Sequence, residues 1–177
     1  LRREGVADED VSVTGNTVID ALLWVIRRPQ PLSLAELMTK LGDRRLLLVT
    51  AHRRENFGAP FEQICLGLRE VVRRNSGVVL VYPVHLNPHV QEPVHRILGD
   101  EERVHLIDPL SYVSFAHLMN QAEIVLTDSG GIQEEAPALG IPVLVMRQET
   151  ERPEAVEAGT VRLVGANAKN IVDETER

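Results

Sequence analysis

The segment Asp128-Ser129-Gly130-Gly131-Ile132-Gln133-Glu134-Glu135 combines more chemically useful residue types than any other part of the chain. It lies between an apolar run at 122–127, which predicts a buried strand, and a helical pattern at 132–139. At such a junction, backbone N–H groups and the positive end of the helix dipole face a bound anion, and glycines let a phosphate approach closely. Carboxylates in the first helical turn can accept hydrogen bonds from sugar hydroxyls. The segment therefore suggests a nucleotide-sugar site.

The same segment also has a purely structural interpretation. Serine caps helix N-termini by accepting backbone N–H groups, and glycine tolerates unusual backbone dihedrals. Acidic residues in a first helical turn stabilise the helix dipole without contacting a ligand. The local pattern alone favours neither interpretation over the other.

Two more polar clusters follow apolar runs of the chain. His52, Arg53 and Arg54 come just after one run, and His85 follows the next. Arginine forks suit diphosphate oxygens, although Arg54 could instead pair with Glu55 in a solvated loop. His85 could equally be a turn residue that is hydrogen-bonded to backbone.

Phe115 and Arg152 are further candidates for contact with a nucleotide. Phe115 lies near the start of a predicted helix, where its ring could face a nucleobase or simply pack in the core. Arg152 precedes Pro153, which restricts Arg152 to an extended backbone and favours a fixed, outward-reaching guanidinium. A lone arginine in a loop is otherwise simply solvated.

Apolar runs alternate with helical patterns along most of the chain. The predicted strands are 46–50, 78–82, 104–107, 124–127, 143–146 and 161–164, with a further strand at 11–16. The predicted helices are 17–27, 60–74, 88–98, 112–121, 132–139 and 154–158. Near-continuous apolar strands between helices predict an α/β fold, a Rossmann-like parallel sheet sandwiched by helices. Such sheets bind ligands beyond the carboxyl ends of their strands, where the polar clusters fall.

Composition narrows the classes of function. The chain has 177 residues and a formal net charge of −7, which argues against a nucleic-acid binder. No apolar run is long enough to span a bilayer, so no membrane partner is expected. Cys65 is the only cysteine, which excludes an internal disulfide and favours the cytoplasm. The six histidines lack metal-ligand spacing, so no metal is expected.

Motif absences narrow the classes further. The chain has no Walker-type lysine loop, no Gly-x-Ser-x-Gly elbow and no Gly-x-Gly-x-x-Gly after its first strand, which argues against kinase-, esterase- and dehydrogenase-like sites. The chain begins with Leu1 rather than Met and shows no signal peptide. We therefore expect it to be an interior piece of a longer protein.

Six blocks of sequence occur in an order that is specific to one family. They are Val13-Thr14-Gly15-Asn16-Thr17-Val18-Ile19-Asp20, Ala51-His52-Arg53-Arg54-Glu55-Asn56, Tyr82-Pro83-Val84-His85-Leu86-Asn87-Pro88, the segment from Asp128 to Glu135, Thr150-Glu151-Arg152-Pro153-Glu154 and Ala158-Gly159-Thr160. Together they resemble the C-terminal domain of the non-hydrolysing UDP-N-acetylglucosamine 2-epimerases. The resemblance implies one half of a GT-B type two-domain fold. Residues 1–32 would be an inter-domain crossing segment and linker, and 33–177 the C-terminal UDP-binding domain.

The resemblance also implies a reaction. Family members interconvert UDP-N-acetylglucosamine and UDP-N-acetylmannosamine by eliminating UDP to a 2-acetamidoglucal and adding it back, with no cofactor. The product serves bacterial surface polysaccharides, and the parent protein is expected to be a homodimer.

Roles for individual residues follow from the same resemblance. His52 would be catalytic, contacting the diphosphate or sugar and assisting departure of UDP. Ser129 and Gly130 would hold phosphate, Gly131 would shape the turn, and Glu135 would bond the ribose hydroxyls.

The remaining implied roles concern the base and a second ligand. Phe115 would lie against uracil and Arg152 would complete the nucleotide pocket, while Glu134 is expected to be structural. Arg53 and His85 resemble residues that line the site of a second substrate molecule, which acts as an activator in bacterial members.

Departures from the family pattern limit what this piece should do. The acidic residues that move the C2 proton belong to an N-terminal half that the chain lacks, and the usual C-terminal end is also missing. We expect the 177-residue piece to bind UDP weakly without turnover. The alternatives are the UDP-sugar-binding domain of a GT-B glycosyltransferase and a non-enzymatic UDP-sugar-binding module. The His-Arg-Arg-Glu-Asn and Thr-Glu-Arg-Pro-Glu blocks favour the epimerase.

Overall fold

The computed structural model describes all 177 residues, and its six strands form one parallel sheet. The strands are β1 Arg45–Thr50, β2 Val78–Pro83, β3 Val104–Ile107, β4 Ile124–Thr127, β5 Val143–Val145 and β6 Val161–Leu163. They are ordered β3-β2-β1-β4-β5-β6 in the sheet, and every pair of neighbours is parallel. The predicted parallel sheet is therefore confirmed.

Helices cover both faces of the sheet. They are α1 Thr17–Ile26, α2 Leu32–Leu41, α3 Ala59–Arg74, α4 Pro88–Leu98, α5 Tyr112–Met119, α6 Ile132–Ala138, α7 Pro153–Glu157 and α8 Ala168–Thr175. Successive side chains of a strand point to opposite faces. Leu47 and Val49 of β1 accordingly pack in the core under α3, α4 and α8, whereas Leu46 and Leu48 pack in the core under α1, α2, α5 and α6.

The chain order of the strands creates a crevice at the middle of the sheet. β1 pairs with β2 on one side and with β4 on the other, and the order along the sheet reverses direction between β1 and β4. The loops that leave these two strands therefore diverge, opening a space at the carboxyl edge. This switch point is where open α/β sheets bind ligands.

One strand prediction is wrong. Residues 11–16 form no strand, and Val13 is 97% exposed. The alternating valines favour an extended backbone, but a strand also needs a partner, and no other strand pairs with this segment. Asn16 instead caps α1, since its side chain accepts the N–H of Val18 at 3.1 Å.

Two helices, α2 and α8, were not predicted from the sequence. The apolar spacing of Leu34, Leu37 and Leu41 contains the helical signal for α2, and Leu34 and Leu41 are buried. For α8 the signal is an Asn167 cap that accepts the N–H of Asn170 at 3.0 Å. All six helices that were predicted from the sequence are present.

The segment preceding α2 packs on two helices that cover the sheet. α1 packs against α5 and α6, and its Leu22 and Val25 are buried. The division of the chain at residue 32 stays a prediction, and α2 begins at that residue.

Candidate functional site

A cavity of about 250 Å³ opens at the switch point. His52 from the loop after β1, His85 from the loop after β2, Phe115 from α5 and Ser129 from the loop after β4 contribute to its lining. Four residues that the sequence marked as candidates therefore come together, although up to 77 positions separate them in the chain. They meet because the carboxyl ends of parallel strands share one edge of the sheet.

The two histidines of the cavity are stacked. The ring centroids of His52 and His85 lie 5.1 Å apart with an interplanar angle of 27°. The Nδ1 atom of His85 accepts the backbone N–H of Asn87 at 3.1 Å, so a neutral His85 carries its proton on Nε2. His85 is thus both a turn residue bonded to backbone and a cavity residue. The side chain of His52 is exposed.

Asp128 connects the loops after β1 and β4. Its side chain is fully buried, and its Oδ2 atom accepts the backbone N–H groups of His52 at 2.8 Å and Arg53 at 2.7 Å. The same oxygen accepts Asn56 Nδ2 at 3.4 Å. The carboxylate therefore fixes the backbone that carries His52. This role of Asp128 was not predicted, although an acid directly after an apolar strand is a usable signal.

The Ser-Gly-Gly turn does not match its structural interpretation. The cap position of α6 is Gly131, and no side chain caps this helix. Neither Gly130 nor Gly131 has a positive φ, so neither position requires glycine for its backbone conformation. Ser129 instead donates its backbone N–H to the Thr127 hydroxyl at 2.9 Å. What glycine provides at position 130 is free space above the backbone.

Two oppositely charged side chains border that free space. A Cβ atom built on Gly130 would lie 3.7 Å from Nη2 of Arg53 and 3.8 Å from Oε2 of Glu151. Both distances are ordinary van der Waals contacts. The turn thus has room for one small group between a guanidinium and a carboxylate.

Glu135 presents an unused acceptor close to the turn. The residue is only 9% exposed, and its Oε2 atom has no hydrogen-bond partner. Burial raises the pKa of its carboxyl, the Tyr112 hydroxyl opposes this by hydrogen bonding, and the charge of Glu134 raises the pKa further. A buried acceptor without a donor costs free energy, and a hydroxyl group would satisfy it.

Arg152 is fixed, but it does not reach outward as predicted. Its Nε atom donates to Glu134, and its Nη1 atom donates to the carbonyl of Glu151 at 2.9 Å. Glu134 also accepts Asn16 Nδ2 at 2.5 Å. The guanidinium turns back because the Glu134 carboxylate at the start of α6 lies within its reach. These bonds agree with a structural role for Glu134.

Arg147 links the loops after β1 and β5. It is not among the residues predicted from the sequence. Its side chain is almost fully buried, and it donates to Glu55 at 2.5 Å and to both oxygens of Glu151 at 2.8 and 3.0 Å. These hydrogen bonds lower the pKa of the Glu151 carboxyl to about 2. The alternative pairing of Arg54 with Glu55 is not formed, because Glu55 pairs with Arg147 instead.

The sheet order and the polar cavity at its switch point place this chain in the Rossmann-like class of α/β domains. The family model described as UDP-N-acetylglucosamine 2-epimerase matches residues 1–177. The chain belongs to this family, which confirms the resemblance. No helix combines the length and the apolar composition needed to cross a membrane.

Individual relatives agree with this assignment. The UDP-N-acetylglucosamine 2-epimerase of Escherichia coli (strain K12) is 56% identical over 185 residues, which cover 100% of this chain and 49% of the relative. The Bacillus subtilis (strain 168) enzyme is 47% identical over 171 residues, covering 97% of this chain and 44% of the relative. The chain thus spans about half the length of the curated relatives it matches.

Solved structures give the same result for the fold. The UDP-GlcNAc 2-epimerase from Neisseria meningitidis, bound to UDP-GlcNAc, superposes with a TM-score of 0.86 at 43% identity, over 99% of this chain and 48% of that one. The S. aureus MnaA–UDP structure superposes with a TM-score of 0.88 at 44% identity, over 99% and 47%. A trehalose-6-phosphate synthase matches at a TM-score of 0.66 and 12% identity, over 89% and 41%, and shows the shared fold alone.

Proposed function

We propose that the full-length protein interconverts UDP-N-acetylglucosamine and UDP-N-acetylmannosamine, and that this chain supplies its UDP-binding part. Membership of the epimerase family supports the proposal. The observation that carries it is the cavity at the switch point, where His52, Phe115 and Ser129 line one space. A site for a nucleotide-sugar needs an aromatic surface for the base, hydrogen-bond donors for the phosphates and a group beside the oxygen that leaves with UDP.

The proposed reaction is redox-neutral. The bond between the anomeric carbon and the UDP oxygen breaks while a base removes the C2 proton, which leaves a 2-acetamidoglucal and UDP. Return of a proton to the opposite face of C2 and re-addition of UDP give the epimer. No electrons enter or leave, so the chemistry needs no nicotinamide. The groups that move the C2 proton would come from a part of the protein outside this chain.

Each binding residue has a place in this proposal. The His52 ring would contact the diphosphate or sugar and stabilise the departing UDP anion. Ser129 and Gly130 would hold phosphate at the open turn, and Gly131 would keep the turn compact. The unpartnered Oε2 atom of Glu135 would accept a ribose hydroxyl.

The base and the second ligand complete the proposal. Phe115 would lie against uracil. Arg152 is held in place by Glu134, and from this position it would complete the nucleotide pocket. Arg53 and His85 would line an activator site next to the stacked His52 ring. We further propose that the protein is a cytoplasmic homodimer that supplies precursors of bacterial surface polysaccharides.

Exchange of the C2 hydrogen tests the reaction directly. We expect the full-length protein, incubated with UDP-N-acetylglucosamine in deuterated water without an acceptor, to incorporate deuterium at C2 and to form UDP-N-acetylmannosamine. A GT-B glycosyltransferase or a binding module would leave C2 unlabelled. The 177-residue chain alone should bind UDP more weakly and give no exchange. Absence of label in the full-length protein would refute the epimerase proposal.

Gly130→Ala should separate ligand binding from folding. A methyl group there makes only ordinary contacts with protein atoms, so the free energy of unfolding should change by less than about 0.5 kcal/mol. The same methyl group would occupy the space proposed for phosphate, and the Kd for UDP should rise about tenfold or more. Calorimetric titration and denaturant unfolding measure the two effects.

Gly140→Ala is the matched control for that substitution. Gly140 lies just beyond the C-terminal end of α6 with a φ of 76°, where an alanine is strained by about 1 kcal/mol or more. This variant should be less stable yet bind UDP normally. If Gly130→Ala lost stability and Gly140→Ala lost affinity, the proposed phosphate position would be wrong.

Glu135→Gln should weaken binding while stabilising the fold. Burial is the main cause that raises the pKa of its carboxyl above the ordinary value of 4.5. Ionisation of Glu135 therefore destabilises the folded state as pH rises from 4.5 through the raised pKa. The variant should therefore be more stable than wild type near pH 7, with the difference fading below pH 4.5. We expect the Kd for UDP to rise about tenfold, with little change for 2′,3′-dideoxy-UDP. An equal loss for both ligands would contradict the ribose contact.

A further inference from the structure

Four charged side chains, Arg147, Glu55, Glu151 and Arg53, lie close together beside the Ser-Gly-Gly turn. Arg147 is held between the carboxylates of Glu55 and Glu151. Glu151 also faces Gly130, since its Oε2 atom would lie 3.8 Å from a Cβ at that position. The Arg53 guanidinium approaches the same point to 3.7 Å. A carboxylate therefore borders the position proposed for phosphate.

The formal charges of Arg147, Arg53, Glu55 and Glu151 cancel. One guanidinium and two carboxylates, from Arg147, Glu55 and Glu151, leave a net negative charge. Arg53 forms no ion pair within 4.0 Å, and its positive charge offsets this excess. A diphosphate at Gly130 would gain the attraction of Arg53 and also meet the repulsion of Glu151, because both charges lie within one Debye length.

Glu151 is held in this position firmly enough for its charge to matter. Both of its oxygens accept hydrogen bonds from Arg147, at 2.8 and 3.0 Å, and bidentate pairs of this kind fix geometry as well as charge. The paired carboxyl stays ionised at neutral pH, since its pKa lies at about 2. The carboxylate therefore cannot relieve the repulsion by taking up a proton.

We propose that Glu151 limits the affinity of the site for the nucleoside diphosphate. The Glu151 carboxylate is paired with Arg147 and faces Arg53 across the Gly130 turn. When the nucleotide binds, its diphosphate lies near both the Arg53 guanidinium and the Glu151 carboxylate, and Glu151 opposes this anion and favours its release. This inference rests on the proposed function, because it requires the diphosphate to lie at the Ser129–Gly130 turn.

Glu151→Gln tests the inference in the full-length protein. The amide keeps an oxygen acceptor for Arg147 but removes the negative charge, so we expect the Kd for UDP to fall about fivefold at low ionic strength. The gain should shrink in about 0.5 M salt, because exposed charges are screened. The Kd for uridine, measured by competition with UDP, should change less than about twofold, because uridine carries no phosphate. A purely structural role would affect both ligands alike.

Glu55→Gln is the matched control. It also removes a carboxylate partner of Arg147, but Glu55 does not lie within 4 Å of the Cβ position at Gly130. Its Kd for UDP should stay within about twofold of wild type. An unchanged or weaker affinity in Glu151→Gln, or an equal gain in Glu55→Gln, would overturn the inference. If wild type itself failed to bind UDP, the proposed function would fall instead.

Discussion

Replacing His52 with alanine should lower kcat for C2 epimerisation by the full-length protein about 100- to 1,000-fold. The imidazole lines the cavity and is the proposed partner of the departing UDP anion. The residue is exposed and its ring stacks on His85, with ring centroids 5.1 Å apart. The free energy of unfolding should therefore change by less than about 0.5 kcal/mol. Steady-state kinetics and denaturant unfolding give the two quantities.

His89→Ala is the matched control, because it also removes an exposed, stacked histidine ring. Its ring is also exposed and is stacked, at 5.3 Å between centroids, on Phe57, but it does not line the cavity. This variant should keep kcat within about twofold of wild type. A comparable loss in both variants, or a His52→Ala protein that is inactive because it is unfolded, would contradict the assignment of His52.

Asp128→Ala should have the largest effect on stability, about 3 to 5 kcal/mol. The substitution leaves the N–H groups of His52 and Arg53 without the acceptor that now lies 2.8 and 2.7 Å away. It also removes one acceptor of Asn56. Because two of these groups belong to the backbone that carries His52, catalysis should fall together with stability. Urea unfolding and amide hydrogen exchange of His52 and Arg53 measure the effect.

Asp128→Asn separates the hydrogen bonds from the mere volume of the side chain. The amide has nearly the same shape and keeps one oxygen that both N–H groups can reach. We expect it to cost less than half as much as alanine, about 1 to 2 kcal/mol. Equal destabilisation by the two variants would show that the shared acceptor is not what holds the loop after β1.

The six strands of the sheet were predictable because each is a short apolar run between helical patterns. Leu46 to Val49 of β1 are all buried, so the strand is apolar on both faces, as a covered parallel sheet requires. The same logic failed at residues 11–16, where two alternating valines favoured a strand that has no partner. A hydrophobic pattern indicates that a segment could form a strand. Whether another strand is there to pair with it depends on the tertiary structure.

Four residues that line the cavity were predicted from the sequence, but the hydrogen bonds and ion pairs around it were not. His52, His85 and Ser129 each follow a strand, and parallel strands end at one edge, so their meeting follows from local patterns. The bond from His52 to Asp128 spans 76 positions of the chain, and that from Arg147 to Glu55 spans 92. No local signal specifies such partners, which is why the sequence could not show that Glu55 pairs with Arg147 rather than with its neighbour Arg54.

The amino-acid sequence by itself determined the α/β class, the family and the edge of the sheet where the ligand should bind. These follow from hydrophobic periodicity and from short motifs, which are properties of neighbouring residues. Only the tertiary structure decided that Asp128 supports His52, that Glu134 restrains Arg152 and that Glu151 borders the Gly130 turn. Hydrogen bonds and ion pairs act over a few ångströms, so distant residues acquire these partners only when the chain folds.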